Sequence, residues 1–186
     1  MYIGSRNVGR ISERIAMNEL EARGYAIIDL AYVSKTIANV DFIASKGGKS
    51  FNVQVKGTSL QDGDKPAVQY GFCTAETIAG ASTFFNRRDD AALSADVVIL
   101  LAVYSPSKYR AIIMPHEVAE RAAQINLSRY YRRPRLDGGT RQPGKVWLAL
   151  EGAKNPRKSD PEQDEERGLL LEYENRWELL DFSRDI

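Results

Sequence analysis

Cysteine and histidine are almost absent from this chain: Cys73 and His116 stand alone among 186 residues. A single cysteine excludes an internal disulfide framework and fits a reducing compartment, so a cytoplasmic protein is expected. A single histidine excludes His-rich metal centres and argues against a His-based catalytic triad. Any metal would need oxygen ligands, which favours magnesium (Mg²⁺) or Mn²⁺ over zinc. Long apolar runs are missing too. The longest, Val97 to Val103, is far too short to span a bilayer and reads as a buried strand. The opening MYIGSRNVGR has no apolar signal core, which points away from secretion. No internal repeat is visible. Nor does one charge dominate, because the net charge is only +1.

What is present is an ordinary globular composition, 43% hydrophobic and 27% charged. That length and balance suit one domain over residues 1–186, with a core large enough to need no staples. The charge is unevenly spread. Arg129 to Lys145 holds six basic residues and one acid, whereas Asp160 to the C-terminus holds ten acids against three arginines. A basic arm on a near-neutral chain can bind a polyanion; it can equally be a solvated loop.

Periodicity predicts a helix over Asn7–Arg23, from Ile11, Ile15, Ala16 and Leu20, with Gly24 as its stop. Strands are expected at Tyr25–Leu30, Val68–Cys73, Asp96–Tyr104, Tyr109–Met114 and Val146–Leu150. A helix is expected at Thr74–Asn86, and another from Pro115-His116-Glu117 to about Asn126. Residues Lys154–Arg167 show no periodicity and read as a mobile loop. Leu169–Phe182 closes the chain as a packed helix or strand. This order implies an α/β domain: a central mixed sheet flanked by helices.

Asn39 to Thr58, NVDFIASKGGKSFNVQVKGT, is the most informative stretch. It alternates on both arms around Lys46-Gly47-Gly48-Lys49, a hairpin signal because Gly accepts the positive φ of tight turns. With the turn centred between Gly47 and Gly48, Asp41 lies across from Gln54, and Lys56 lies one step further along the same face, opposite Asn39. Three polar groups able to hold a metal ion and a phosphate converge there. A one-residue slip would send them to opposite faces. Gln54 and Lys56 alone are ordinary choices for a wet strand face; Asp41 is more telling, since Asp is disfavoured within strands. Glu13 shares a helical stripe with Ala16, Met17 and Leu20, the face that should meet the sheet. It either sits at the edge of that stripe and reaches water or faces the hairpin cluster.

Gly9-Arg10-Ile11-Ser12-Glu13 on a helix, then Asp41 on a strand, then Gln54-Val55-Lys56 on the next, together resemble the PD-(D/E)XK nuclease superfamily. The resemblance covers Asn7 to about Thr58 by motif and extends by element order to about Asn126. It implies a restriction-endonuclease-like fold and assigns roles to residues. Asp41 would be the central metal ligand. Glu13 would be a further ligand or would orient a metal-bound water. Lys56 would lie beside the attacking water and the scissile phosphate. Gln54 stands where the family usually has Asp or Glu; its amide oxygen can still coordinate a hard cation, as in some transposase nuclease subunits of the superfamily.

SRYYRRPR, Ser128 to Arg135, is the second candidate site. Arg129, Arg132, Arg133 and Arg135 could pair with phosphates, and Tyr130 could stack on a base. The expected function is hydrolysis of DNA phosphodiester bonds by a metal-dependent endonuclease, with a homodimer where two cuts are needed. Two alternatives stand beside it. One is a catalytically inactive nuclease-fold protein that binds nucleic acid. The other is a protein-interaction module whose contact is the acidic Asp160–Glu166 segment. His116 is expected to serve the start of its helix, and Cys73 to be a small buried residue.

Overall fold

The computed structural model describes residues 5–32, 40–64, 67–71, 95–132, 145–149 and 161–181. Five strands form a mixed sheet in the order β1 (Ala26–Asp29), β2 (Phe42–Lys46), β3 (Lys49–Ser59), β5 (Val97–Ser105), β6 (Lys108–Pro115). Neighbours are antiparallel except β3 and β5, which run parallel with Val53 against Val97 and Lys56 against Leu100. A separate antiparallel pair joins β4 (Ala67–Gly71) to β7 (Lys145–Ala149). The predicted helix at Thr74–Asn86 and the expected burial of Cys73 lie outside the described residues.

Helices cover both faces of the large sheet, and the sequence shows why. β5 is buried along Val97–Val103, so it is apolar on both sides, as a central strand next to a parallel neighbour must be. Its odd residues join Leu20, Ala16, Met17, Phe42, Val53 and Val55 in a core beneath α1 (Ser5–Glu21). Its even residues join Ala119, Ala122, Ala123 and Leu170 in a second core beneath α2 (His116–Arg132) and α3 (Pro161–Glu172). After α1, Gly24 at φ 84° turns the chain into β1. A final 3₁₀ turn, Trp177–Asp181, returns Trp177 and Leu180 to the first core. Among the described residues no helix is long and apolar enough to cross a membrane.

Two expectations need correction. Helix α2 runs to Arg132, six residues past the expected end, so the basic arm begins as helix. Residues 161–167 of the expected loop open α3; residues 154–160 lie outside the described residues. Pro161 sits in the first turn with Glu162 and Asp164, a favourable helix start. The periodicity was invisible because the inward positions of α3 are Glu166 and Leu170, one of them charged.

Candidate metal and phosphate site

The hairpin has the register that Gly47 and Gly48 predict. Lys46 faces Lys49, and pairing continues to Phe42 against Val53; both glycines have positive φ, 59° and 78°. One step on, the ladder becomes irregular at Asp41. Its N–H donates to the Val53 carbonyl at 2.8 Å, one residue off register. Its carboxylate Oδ2 accepts the Val55 N–H at 2.6 Å. The side chain thus stands in for a ladder partner where β2 and β3 part.

Burial sets the electrostatics of Asp41. Desolvation raises its pKa above the ordinary carboxylate value. The Val55 N–H and the Lys56 ammonium oppose that rise, the Glu13 carboxylate adds to it, and the Arg10 guanidinium opposes it. Asp41 therefore lies in the field of Glu13, Lys56 and Arg10 together. Gln54, next to Val53 on β3, is 1% exposed, and its Oε1 has no hydrogen-bond partner among the described residues. A buried, unpartnered acceptor is costly. Coordination of a hard cation by this oxygen is one arrangement that would remove the cost.

Glu13 acts on Asp41 from α1, whereas Gln54 and Lys56 pair with Val98 and Leu100 and so point to the sheet face away from α1. The Glu13 side chain is 23% exposed and accepts a hydrogen bond from Arg10 at 2.8 Å. Arg10 also clamps Asp29 on β1, at 2.6 and 3.4 Å, and holds the Asp29 carboxyl below its usual range. Lower on the same helix, Glu19 accepts from the Tyr109 hydroxyl and from Arg23. Burial, aided by Glu19, pushes the Tyr109 pKa up to about 12. Helix α1 is thus fastened near both ends, and Glu13 stands at a fixed height above the sheet.

Among the described residues, no three or more His, Cys, Asp or Glu side chains gather as for a metal ion. A cation here would rest on two carboxylates, Glu13 and Asp41, and the Gln54 amide. Sequence reasoning gave no role to Asp29 or Gly57, nor to Arg10 and Ser12, although these two stand in the helical motif before Glu13. Arg10 carried a signal, three residues before Glu13 on one helical face. Gly57 carried another, a glycine inside a strand directly after Lys56.

The first residues of the basic arm, Arg129–Arg132, are helical where a loop was one expectation. The Arg129 side chain is 12% exposed on α2 and lies 3.4 Å from buried Glu166 of α3. Asn126 donates to both Glu166 oxygens at 3.0 Å. Arg121 pairs with Glu165 at 2.9 Å, and Arg110 pairs with Glu174 at 2.6 Å. The acidic C-terminal segment thus compensates arginines of β6 and α2, so Glu166 is not a free contact for another protein. Arg132 closes α2, and Tyr130 lies on its last turns. The side chains of both, and the whole of Arg133 and Arg135, lie outside the described residues.

No protein-family model matches the chain. No curated protein matches it in sequence. Among solved structures, the bacterial homing endonuclease I-Ssp6803I is similar in fold, with a TM-score of 0.50 over 95% of this chain and 91% of that one at 10% identity. At that identity the likeness is one of fold.

Proposed function

We propose that this protein is a metal-dependent endonuclease of the PD-(D/E)XK type, cutting DNA. One observation carries the reading: the desolvated Asp41 carboxylate lies in the field of Glu13 and Lys56, and the buried Gln54 oxygen of the neighbouring strand has no hydrogen-bond partner among the described residues. A nuclease-like fold supports it.

Glu13, Asp41 and Gln54 would hold Mg²⁺ or Mn²⁺. When bound, such an ion supplies an acidified water and draws charge from the phosphoryl oxygens. Asp41, kept in place by the Val55 N–H, offers its carboxylate from a low-dielectric position where charge pairing is strong. Arg10 orients Glu13 and is itself fixed by Asp29. Lys56 presents a point charge to the scissile phosphate. Loss of such a donor typically lowers kcat about 100- to 1000-fold. Arg132, Arg133, Arg135 and Tyr130 remain the proposed DNA contacts, and a homodimer is the proposed assembly for cutting both strands.

Plasmid nicking with Mg²⁺ and with Mn²⁺ tests this, comparing the natural protein with Asp41→Ala and Lys56→Ala. Cleavage by the natural protein alone is expected. Equal cleavage by all three, or none by any, overturns the catalytic reading. A salt-dependent DNA shift without cleavage would select nucleic-acid binding on a nuclease fold instead.

A further inference from the structure

Helix α1 and β3 come into very close contact at one point. Ser12 is fully buried, and a Cβ placed on Gly57 would fall 1.9 Å from the Ser12 Oγ and 2.6 Å from its Cβ. Such distances do not occur between real atoms, so only glycine fits here while α1 keeps its position. Gly57 is not needed for its backbone: its φ lies outside the left-handed region, unlike that of Gly47 or Gly48, which face open space. What it provides is room. The Ser12 hydroxyl has no hydrogen-bond partner among the described residues, so the contact is steric.

Its position in the chain is what matters. Ser12 immediately precedes Glu13, and Gly57 immediately follows Lys56. This contact therefore joins the two elements that carry the site. On the far side of β3, Val98 and Leu100 pair with Gln54 and Lys56 in register and are fully buried. The strand cannot retreat from α1 without breaking that second core. Any added bulk must lift the helix instead.

We infer that Ser12 and Gly57 are positioning residues: their contact is the spacer that sets Glu13 at working distance from Asp41. The inference rests on the nuclease reading and deepens it. The Ser12 hydroxyl can turn away but its Cβ cannot, so a methyl group on Gly57 needs the 2.6 Å separation to open to an ordinary contact beyond 3.4 Å. That moves Glu13 by about 1 Å, a displacement that costs about 100-fold in rate.

The test uses Gly57→Ala, Ser12→Gly and the double variant, with Mn²⁺ titration by calorimetry, plasmid nicking and thermal melts. Gly57→Ala is expected to weaken Mn²⁺ binding and to lower nicking about 100-fold. Ser12→Gly removes the colliding side chain, and the next atom, the Val8 carbonyl oxygen, lies 3.4 Å from the new Cβ. The double variant should therefore regain Mn²⁺ affinity and nicking relative to Gly57→Ala, even though glycine in a helix lowers its melting temperature. That split between affinity and stability is one a merely structural role would not produce. If Gly57→Ala fails to fold, recovery of folding and Mn²⁺ binding in the double variant supports the spacer, and no recovery overturns it. Unchanged Mn²⁺ binding in folded Gly57→Ala sinks the spacer alone. A natural protein that takes up no Mn²⁺ and does not nick sinks the nuclease reading and the spacer with it.

Discussion

Replacing Asp41 by Asn separates the folding role of this residue from its ionic role. The amide oxygen can still accept the Val55 N–H, so the local ladder is kept. What disappears is a charge that the fold disfavours. Burial lifts the Asp41 pKa in the folded state, so the folded protein holds this proton more tightly than the unfolded chain. Stability therefore falls as pH rises from the ordinary Asp value of 3.8 through the folded pKa. Asp41→Asn escapes that loss. In chelator it should melt higher than the natural protein at neutral pH, and the difference should shrink toward pH 4. With a divalent ion the order changes. Two carboxylates and one amide suit a weak site, with Kd on the order of 1 mM. At about 10 mM Mn²⁺, linkage then stabilises the natural protein by about 1.4 kcal/mol. For a chain of this length that is roughly 3–6 °C in melting temperature. Asp41→Asn should lose that increment. Differential scanning fluorimetry with and without Mn²⁺ measures both effects. An Asp41→Asn protein that melts lower in chelator, or gains as much from Mn²⁺ as the natural protein, would refute the reasoning.

Further expectations concern the rest of the fold. Glu166→Ala should destabilise the protein by about 3 kcal/mol in urea denaturation, because it strips the compensation from enclosed Arg129 and the acceptor from Asn126. Arg129→Ala should likewise lower stability and leave the salt slope of DNA binding unchanged; a slope smaller by about one unit would place Arg129 on the DNA. His116 is half-buried at the start of α2, and desolvation lowers its pKa below 6.5, against the pull of Glu117 and Asp96. Its contribution is complete above the unfolded value and is lost as pH falls below 6.5, so between pH 7.5 and 5.5 the natural protein should lose more stability than His116→Gln. Phe42→Ala should cost about 3–5 kcal/mol, since Phe42 is fully enclosed under α1.

Much of this architecture is legible where local chemistry and tertiary demand agree. Val97–Val103 is apolar throughout because both of its faces are covered, and the run alone identifies a central strand. Gly47-Gly48 sets a register that places Phe42 against Val53, so the approach of Asp41 to the Gln54–Lys56 segment follows from turn chemistry. The stripe of Ala16, Met17 and Leu20 identifies the face of α1 that meets the sheet. Contacts between distant segments were not legible. Nothing local to Asp29 announces Arg10, and nothing near Ser12 announces Gly57. Helix α3 was hidden because its inward face carries Glu166, whose partners Asn126 and Arg129 lie 40 and 37 residues away. The irregular pairing at Asp41 is likewise set by packing across β1, β2 and β3, with Leu30 donating to the Asp41 carbonyl.

Anomalous scattering from crystals grown with Mn²⁺ addresses the shared ion most directly. One peak is expected within coordination distance of a Glu13 carboxylate oxygen, an Asp41 carboxylate oxygen and Gln54 Oε1. Mn²⁺ bound elsewhere, with these three side chains in contact with no ion, would contradict it.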